Sequence, residues 1–148
     1  MIFGPLTPIE AKRVGLNSTT AVCGLLSSSE LMTRLREEAD ALFVPMSFDP
    51  RDCVNMQMAF PSKLADCTAV GLPLVIYGPS YCSAVVWARD NPGVAEVVER
   101  EDDLLPAIDR LAGNSDLRLA LAKRALEVGR EYFSHDRVQQ VFNQSLSV

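Results

Sequence analysis

Pro61-Ser62-Lys63 followed by Asp66 places a hydroxyl, an ammonium and a carboxylate within six residues. Pro61 suits the first turn of a helix, because its ring fixes φ and it gives up an amide that lacks a helical partner anyway. The amides around Ser62, Lys63 and Leu64 then stand unpaired at the positive end of the helix dipole. Such a start is a ready anion site, and Ser62 Oγ and Lys63 Nζ add donors to it. Asp66 follows one turn on, and its two acceptor oxygens suit a ribose diol and not a phosphate. Diphosphate on the amides with ribose on the carboxylate describes a nucleoside diphosphate. The same residues also make an ordinary helix start, with Ser62 as cap, Lys63 in solvent and Asp66 complementing the dipole. Spacing alone leaves both readings open, the cap slightly ahead.

Other constellations carry less. The sequence has no GxGxxG and no Walker-type loop, so dinucleotide and P-loop chemistry lose their usual support. The single histidine, His135, follows Ser134 in the C-terminal tail and reads as a surface or capping residue. No Ser-His-Asp or Cys-His set can be drawn from it. Asp102-Asp103 reads as a helix start, and Trp87 as a core residue. The four cysteines, Cys23, Cys53, Cys67 and Cys82, form no CxxC pair and are expected to be buried, reduced thiols. No catalytic residue, metal or cofactor is expected in this chain.

The elements that must position Ser62 to Asp66 are those of an α/β layer. At 148 residues, 48% apolar and 22% charged, the chain has the length and composition of one soluble domain. A net charge of -5 argues against a nucleic-acid surface. No apolar run approaches the roughly 20 residues of a membrane span, and no signal core opens the chain. The thiols fit a reducing compartment, so the expected location is cytoplasmic. Short apolar runs at Ile2-Phe3, Thr20 to Gly24, Ala41 to Val44, Leu74 to Tyr77 and Val94 to Val98 read as strands. Four are readable, five with Ile2-Phe3.

Between the runs lie helices. Thr7 with Pro8 opens one, Ser27 to Ser29 with Glu30 opens a second by a capping box, and Pro61 to Val70 forms another. Ser80 to Arg89 is also helical. Met46 to Phe60 has no period and is expected as a long loop. Leu104, Leu105, Ile108, Leu111 and Ala112 form one helical stripe. Leu117, Leu121, Ala125, Val128 and Tyr132 form a second, and Ser134 starts a last helix. Strands alternating with helices imply parallel pairing. The expected fold is a three-layer, Rossmann-like α/β domain with a helical tail. Ligands in such sheets bind beyond the carboxyl ends of the strands, where Pro61 to Asp66 would sit.

Phe60-Pro61-Ser62-Lys63-Leu64-Ala65-Asp66, then Ala69-Val70-Gly71-Leu72-Pro73-Leu74-Val75, resembles the sugar-nucleotide segment of retaining glycosyltransferases of family four. Gly24-Leu25-Leu26 with Ser29-Glu30-Leu31 is similar to that family's glycine, apolar, hydroxyl, Glu-Leu step. Ala39-Asp40-Ala41-Leu42-Phe43-Val44-Pro45 is similar to its alanine-aspartate, strand, proline step. Tyr132-Phe133-Ser134 and the final helix match in order, so the resemblance covers nearly the whole chain.

The resemblance implies the C-terminal, nucleotide-sugar-binding half of the two-domain GT-B architecture, spanning residues 1–148 as a single domain. The implied ligand is a nucleotide-diphosphate sugar. Its diphosphate would lie on Ser62, Lys63 and Leu64, its ribose on Asp66 and its base by the backbone near Leu25. The implied activity is glycosyl transfer in glycan or polysaccharide synthesis. The family's first acid falls on Met58, eight residues before Asp66, and the family's usual Glu is shortened to Asp at Asp66. The acceptor domain and the first strand of this half, with its basic residues, are expected to be missing before Met1. The chain alone is therefore expected to be inactive, with the missing domain or self-association covering its open face. The alternative is a stand-alone, non-catalytic interaction module derived from such a domain.

Overall fold

A computed structural model describes residues 1–16 and 21–146. They group into two compact units, Met1–Ala39 and Asp40–Val148.

In the first unit, Thr7 and Glu10 open helix α1 (Pro8–Arg13) with a reciprocal box. The Thr7 amide donates to Glu10 Oε2 at 2.9 Å and the Glu10 amide to Thr7 Oγ1 at 3.3 Å. Ser27 and Glu30 do the same for α2 (Ser28–Glu38), at 3.0 and 3.4 Å. Arg34 grips Glu38 with two hydrogen bonds, 2.7 and 2.8 Å, and lies over the Phe3 ring. Ile2 and Val22 meet in one isolated parallel bridge, not in full strands. Pro5 has no N–H with which to prolong that pairing. Thr20, the first residue of the expected second strand, lies outside the described residues.

The second unit is mixed α/β. Strands β1 (Leu42–Pro45), β2 (Leu74–Tyr77) and β3 (Glu96–Val98) form a parallel sheet in the order β1-β2-β3. Leu42 pairs with Leu74 and Val75 with Glu96. The sheet thus has three strands where four or five were expected, because among the described residues the Ile2 and Val22 runs pair only with each other. Central β2 buries Leu74, Val75 and Ile76, while β1 alternates buried Leu42 and Val44 with exposed Phe43 and Pro45. A strand whose two faces are both covered must be apolar on both, whereas one with an open face alternates apolar and exposed positions.

The connection from β1 to β2 holds a 3₁₀ turn (Pro50–Asp52), α3 (Cys53–Met58) and α4 (Lys63–Val70). The expected structureless loop therefore contains a short helix. After β2 come α5 (Ser83–Asp90), β3, a 3₁₀ turn (Glu101–Asp103), α6 (Leu104–Gly113), α7 (Ser115–Phe133) and α8 (His135–Leu146). Val75 and Val98 pack with Ala107, Leu111 and Leu121 from α6 and α7. Helix α7 also packs along α4. Gly129 makes that possible, since a Cβ there would stand 2.5 Å from Thr68 Oγ1. Thr68 is fully buried, and its hydroxyl donates to the Ala65 carbonyl at 2.8 Å. Gly71, at φ +82°, ends α4 in the left-handed conformation that glycine adopts without strain, and Pro73 leads into β2.

Among the described residues no helix is long and apolar enough to cross a membrane. The cysteines are free. Cys82 is buried as expected, whereas Cys23, Cys53 and Cys67 are only half-buried.

Candidate functional site

Helix α4 begins from a loop held on two sides. Ser83 Oγ, at the start of α5, donates to the Ala59 carbonyl at 2.7 Å. The Phe60 ring packs edge-on to Trp87 at 5.8 Å and beside Phe133 at 5.9 Å. Residues 59 and 60 are thereby tied to α5, which leaves the carboxyl end of β2, and to the end of α7. The next residues, Pro61 to Lys63, start the helix from a fixed platform.

The first turn differs from an ordinary cap. Ser62 is already helical, at φ −53° and ψ −29°, and its hydroxyl makes no capping bond. A serine cap needs extended backbone at that position to swing its oxygen back to the third amide. The turn is instead closed by the backbone, the Leu64 amide donating to the Pro61 carbonyl at 3.0 Å and the Ala65 amide to Ser62 at 3.1 Å. The cap role assigned to Ser62 does not occur. The Leu64 amide is committed, and the Leu64 side chain is fully buried. The amides of Ser62 and Lys63 have no acceptor among the described residues.

Ser62, Lys63 and Asp66 are all exposed, and neither Lys63 nor Asp66 takes part in an ion pair among the described residues. The start of α4 thus gathers two open amides, a hydroxyl, an ammonium and, one turn on, a carboxylate. Burial pushes the Cys67 thiol up; the Asp66 charge adds to this, and the Lys63 ammonium partly opposes it. Cys67 is therefore a neutral thiol beside the site and not a thiolate nucleophile. Leu25 belongs to the Met1–Ala39 unit, where it is 75% exposed. Met58 ends α3 at 81% exposure and brings no acceptor to the loop before α4. His135 is exposed at the first position of α8.

The structure adds a feature that the sequence reading did not find. A cleft of about 530 Å³ opens at the carboxyl ends of β2 and β3, between Phe48, Pro79-Ser80 and the segment Val97 to Arg100 with Asp103. Its one local signal was Gly78-Pro79-Ser80, a turn placed directly after an apolar run. Ser62, Lys63 and Asp66 are not among its walls. Among the described residues no group of three or more His, Cys, Asp or Glu could hold a metal.

No protein-family model matches the chain, and the curated proteins contain no match to it. The functional reading rests on the fold and on the side chains themselves.

Proposed function

We propose that this chain is the donor-binding half of a retaining glycosyltransferase, a Rossmann-like α/β unit of GT-B type that holds a nucleotide-diphosphate sugar. The observation that carries this reading is the start of α4. Two uncommitted amides and the exposed side chains of Ser62 and Lys63 share one helix start, and Asp66 lies in the same first turn. The parallel sheet supports the placement, because a helix that returns from β1 to β2 starts at the carboxyl edge, where such sheets bind ligands.

In this reading the Ser62 and Lys63 amides and the Lys63 ammonium hold the diphosphate and stabilise its departure by electrostatics. Asp66 accepts from the ribose hydroxyls. The Leu64 amide, already bonded to Pro61, contributes only by fixing the turn. Glycosyl transfer also needs an acceptor opposed to the donor across a cleft, so the half alone does not turn over.

A panel of UDP, GDP, ADP and their sugars tests the reading through thermal shift and Trp87 fluorescence. Trp87 is the only tryptophan and touches Phe60, just before the site. One nucleotide class should raise the melting temperature and change the emission, and Lys63→Ala should reduce both. No response across the panel favours the second reading, a non-catalytic interaction module. The exposed Met58, standing where the family's first acid falls, is the observation on that side.

A further inference from the structure

Helix α8 has no buried residue. Val138, Val141, Phe142 and Leu146 recur every three or four positions and share one face, each between 45% and 68% exposed. Gln139, Gln140, Asn143 and Gln144 form the opposite face. The helix packs on the end of α7, from which the extended residue Ser134 separates it. Twelve residues with nothing buried are marginal as a free helix in water, where stability comes mainly from covering an apolar face.

A second apolar surface lies at the root of α8. Phe60, Trp87 and Phe133 form a triangle of rings with centroids 5.8 to 5.9 Å apart, and Tyr132 joins it at 6.3 Å from Phe133. Phe60 and Tyr132 are 40% and 48% exposed. Tryptophan and tyrosine are residues in which interface energy concentrates. Because helix and rings are adjacent in the chain, one two-fold axis near Ser134 lets each copy's α8 cross the other's rings. In such an isologous pair the same contact is made twice. The apolar face of α8 offers roughly 400 Å² and the ring surface roughly 300 Å², so only the doubled contact approaches the ~800 Å² per partner of a stable interface.

Charge selects the same occupant. The chain carries a net charge of -5, so two copies repel unless they meet on uncharged ground. Residues 138–146 contain no charged side chain. A lipid surface is disfavoured, since helices that lie on membranes carry Lys and Arg on their polar face and this one carries carboxamides.

We propose that this chain forms a two-fold dimer in which α8 of each copy covers Phe60, Trp87 and Tyr132 of the other. The pairing does not depend on the nucleotide reading, and a chain that ignores nucleotides dimerises all the same.

Sedimentation velocity of the full chain between about 1 and about 200 µM tests the pairing. A reversible shift from monomer to dimer is expected within that range. Val138→Glu and Phe142→Glu, on α8, and Tyr132→Glu, beside the rings, should each raise the dissociation constant at least about tenfold. All three side chains are exposed in the single copy, so the variants keep the fold. A chain that stays monomeric across the range overturns the proposal. So does a dimer that survives Tyr132→Glu, because α8 would then pair with α8 alone, and so does one that survives either α8 variant. Flotation with neutral and anionic phospholipid vesicles runs in parallel. Vesicle binding without a dimer would assign α8 to a lipid surface and overturn the proposal as well.

Discussion

At its C-terminal end, α4 is pressed so closely against α7 that only a glycine at position 129 can lie over Thr68. At its N-terminal end, the same eight-residue helix leaves two amides, a hydroxyl, an ammonium and a carboxylate without protein partners among the described residues. The closed end is explained by packing: buried Thr68 and Val70 face the interior, and Gly71 turns the chain back to β2. The open end has no packing explanation. A helix start that is neither capped by a side chain nor buried is free to be used by something else, and that freedom separates fold from function here.

The largest break in this contrast should come from the buried side. Leu64→Ala removes a fully buried side chain and should cost about 3 kcal/mol, read as a lower urea midpoint at unchanged slope. Gly129→Ala should cost about 2 kcal/mol, because its Cβ would stand within 2.5 Å of Thr68 Oγ1. Gly129→Ala combined with Thr68→Ser, which removes a methyl but keeps the hydroxyl, should still be destabilised, because Oγ1 is the nearer atom.

The open side should behave in the opposite way. Ser62→Ala and Lys63→Ala should change stability by no more than about 0.5 kcal/mol. Together they should weaken nucleotide binding about tenfold or more, measured by calorimetry. If either single change unfolds the chain, the contrast between the two ends of α4 is wrong.

The smallest effect sharpens the comparison with α1 and α2, whose starts are closed by side chains. Hydrogen bonds from Thr7 hold Glu10 below the usual glutamate range, and those from Ser27 do the same for Glu30. A depressed folded pKa stabilises above the unfolded value and is lost as pH falls through the folded one. Helicity of α1 and α2 should therefore decline as pH falls below the usual glutamate range, while the start of α4, closed by backbone bonds, stays in place. Residue-resolved amide exchange would separate the two.

The local signals were the legible ones. Thr7 with Pro8 and Ser27 with Glu30 act within one turn, so both helix starts could be read directly from the chain, whereas the reciprocal bond from Glu10 to Thr7 came only from the structure. Strands β1 and β2 were legible as apolar runs bounded by Pro45 and Pro73. Helix α3 was not, because its six residues bury nothing and so leave no stripe. The stripe of α6 was legible in part, since Leu104 and Leu111 do pack on the core. Leu105 and Ile108 are 70% and 43% exposed, and small Ala107 faces the sheet instead. Close approach of a helix to a sheet selects a small residue, and a hydropathy pattern passes over it.

At the site, Ser62 and Lys63 were legible as a helix start. The loss of the Leu64 amide to Pro61 was not, since it depends on the backbone angles of one turn. The cleft at β2 and β3 is assembled from residues 48, 79–80 and 97–103, so no contiguous pattern could announce it.

The most direct test of the central claim is the response of three consecutive amides to a saturating nucleoside diphosphate. The Ser62 and Lys63 resonances should shift strongly as they gain an acceptor, and the Leu64 resonance, already bonded to Pro61, should shift least. Equal shifts across all three, or none at any concentration, would contradict a diphosphate site at the start of α4.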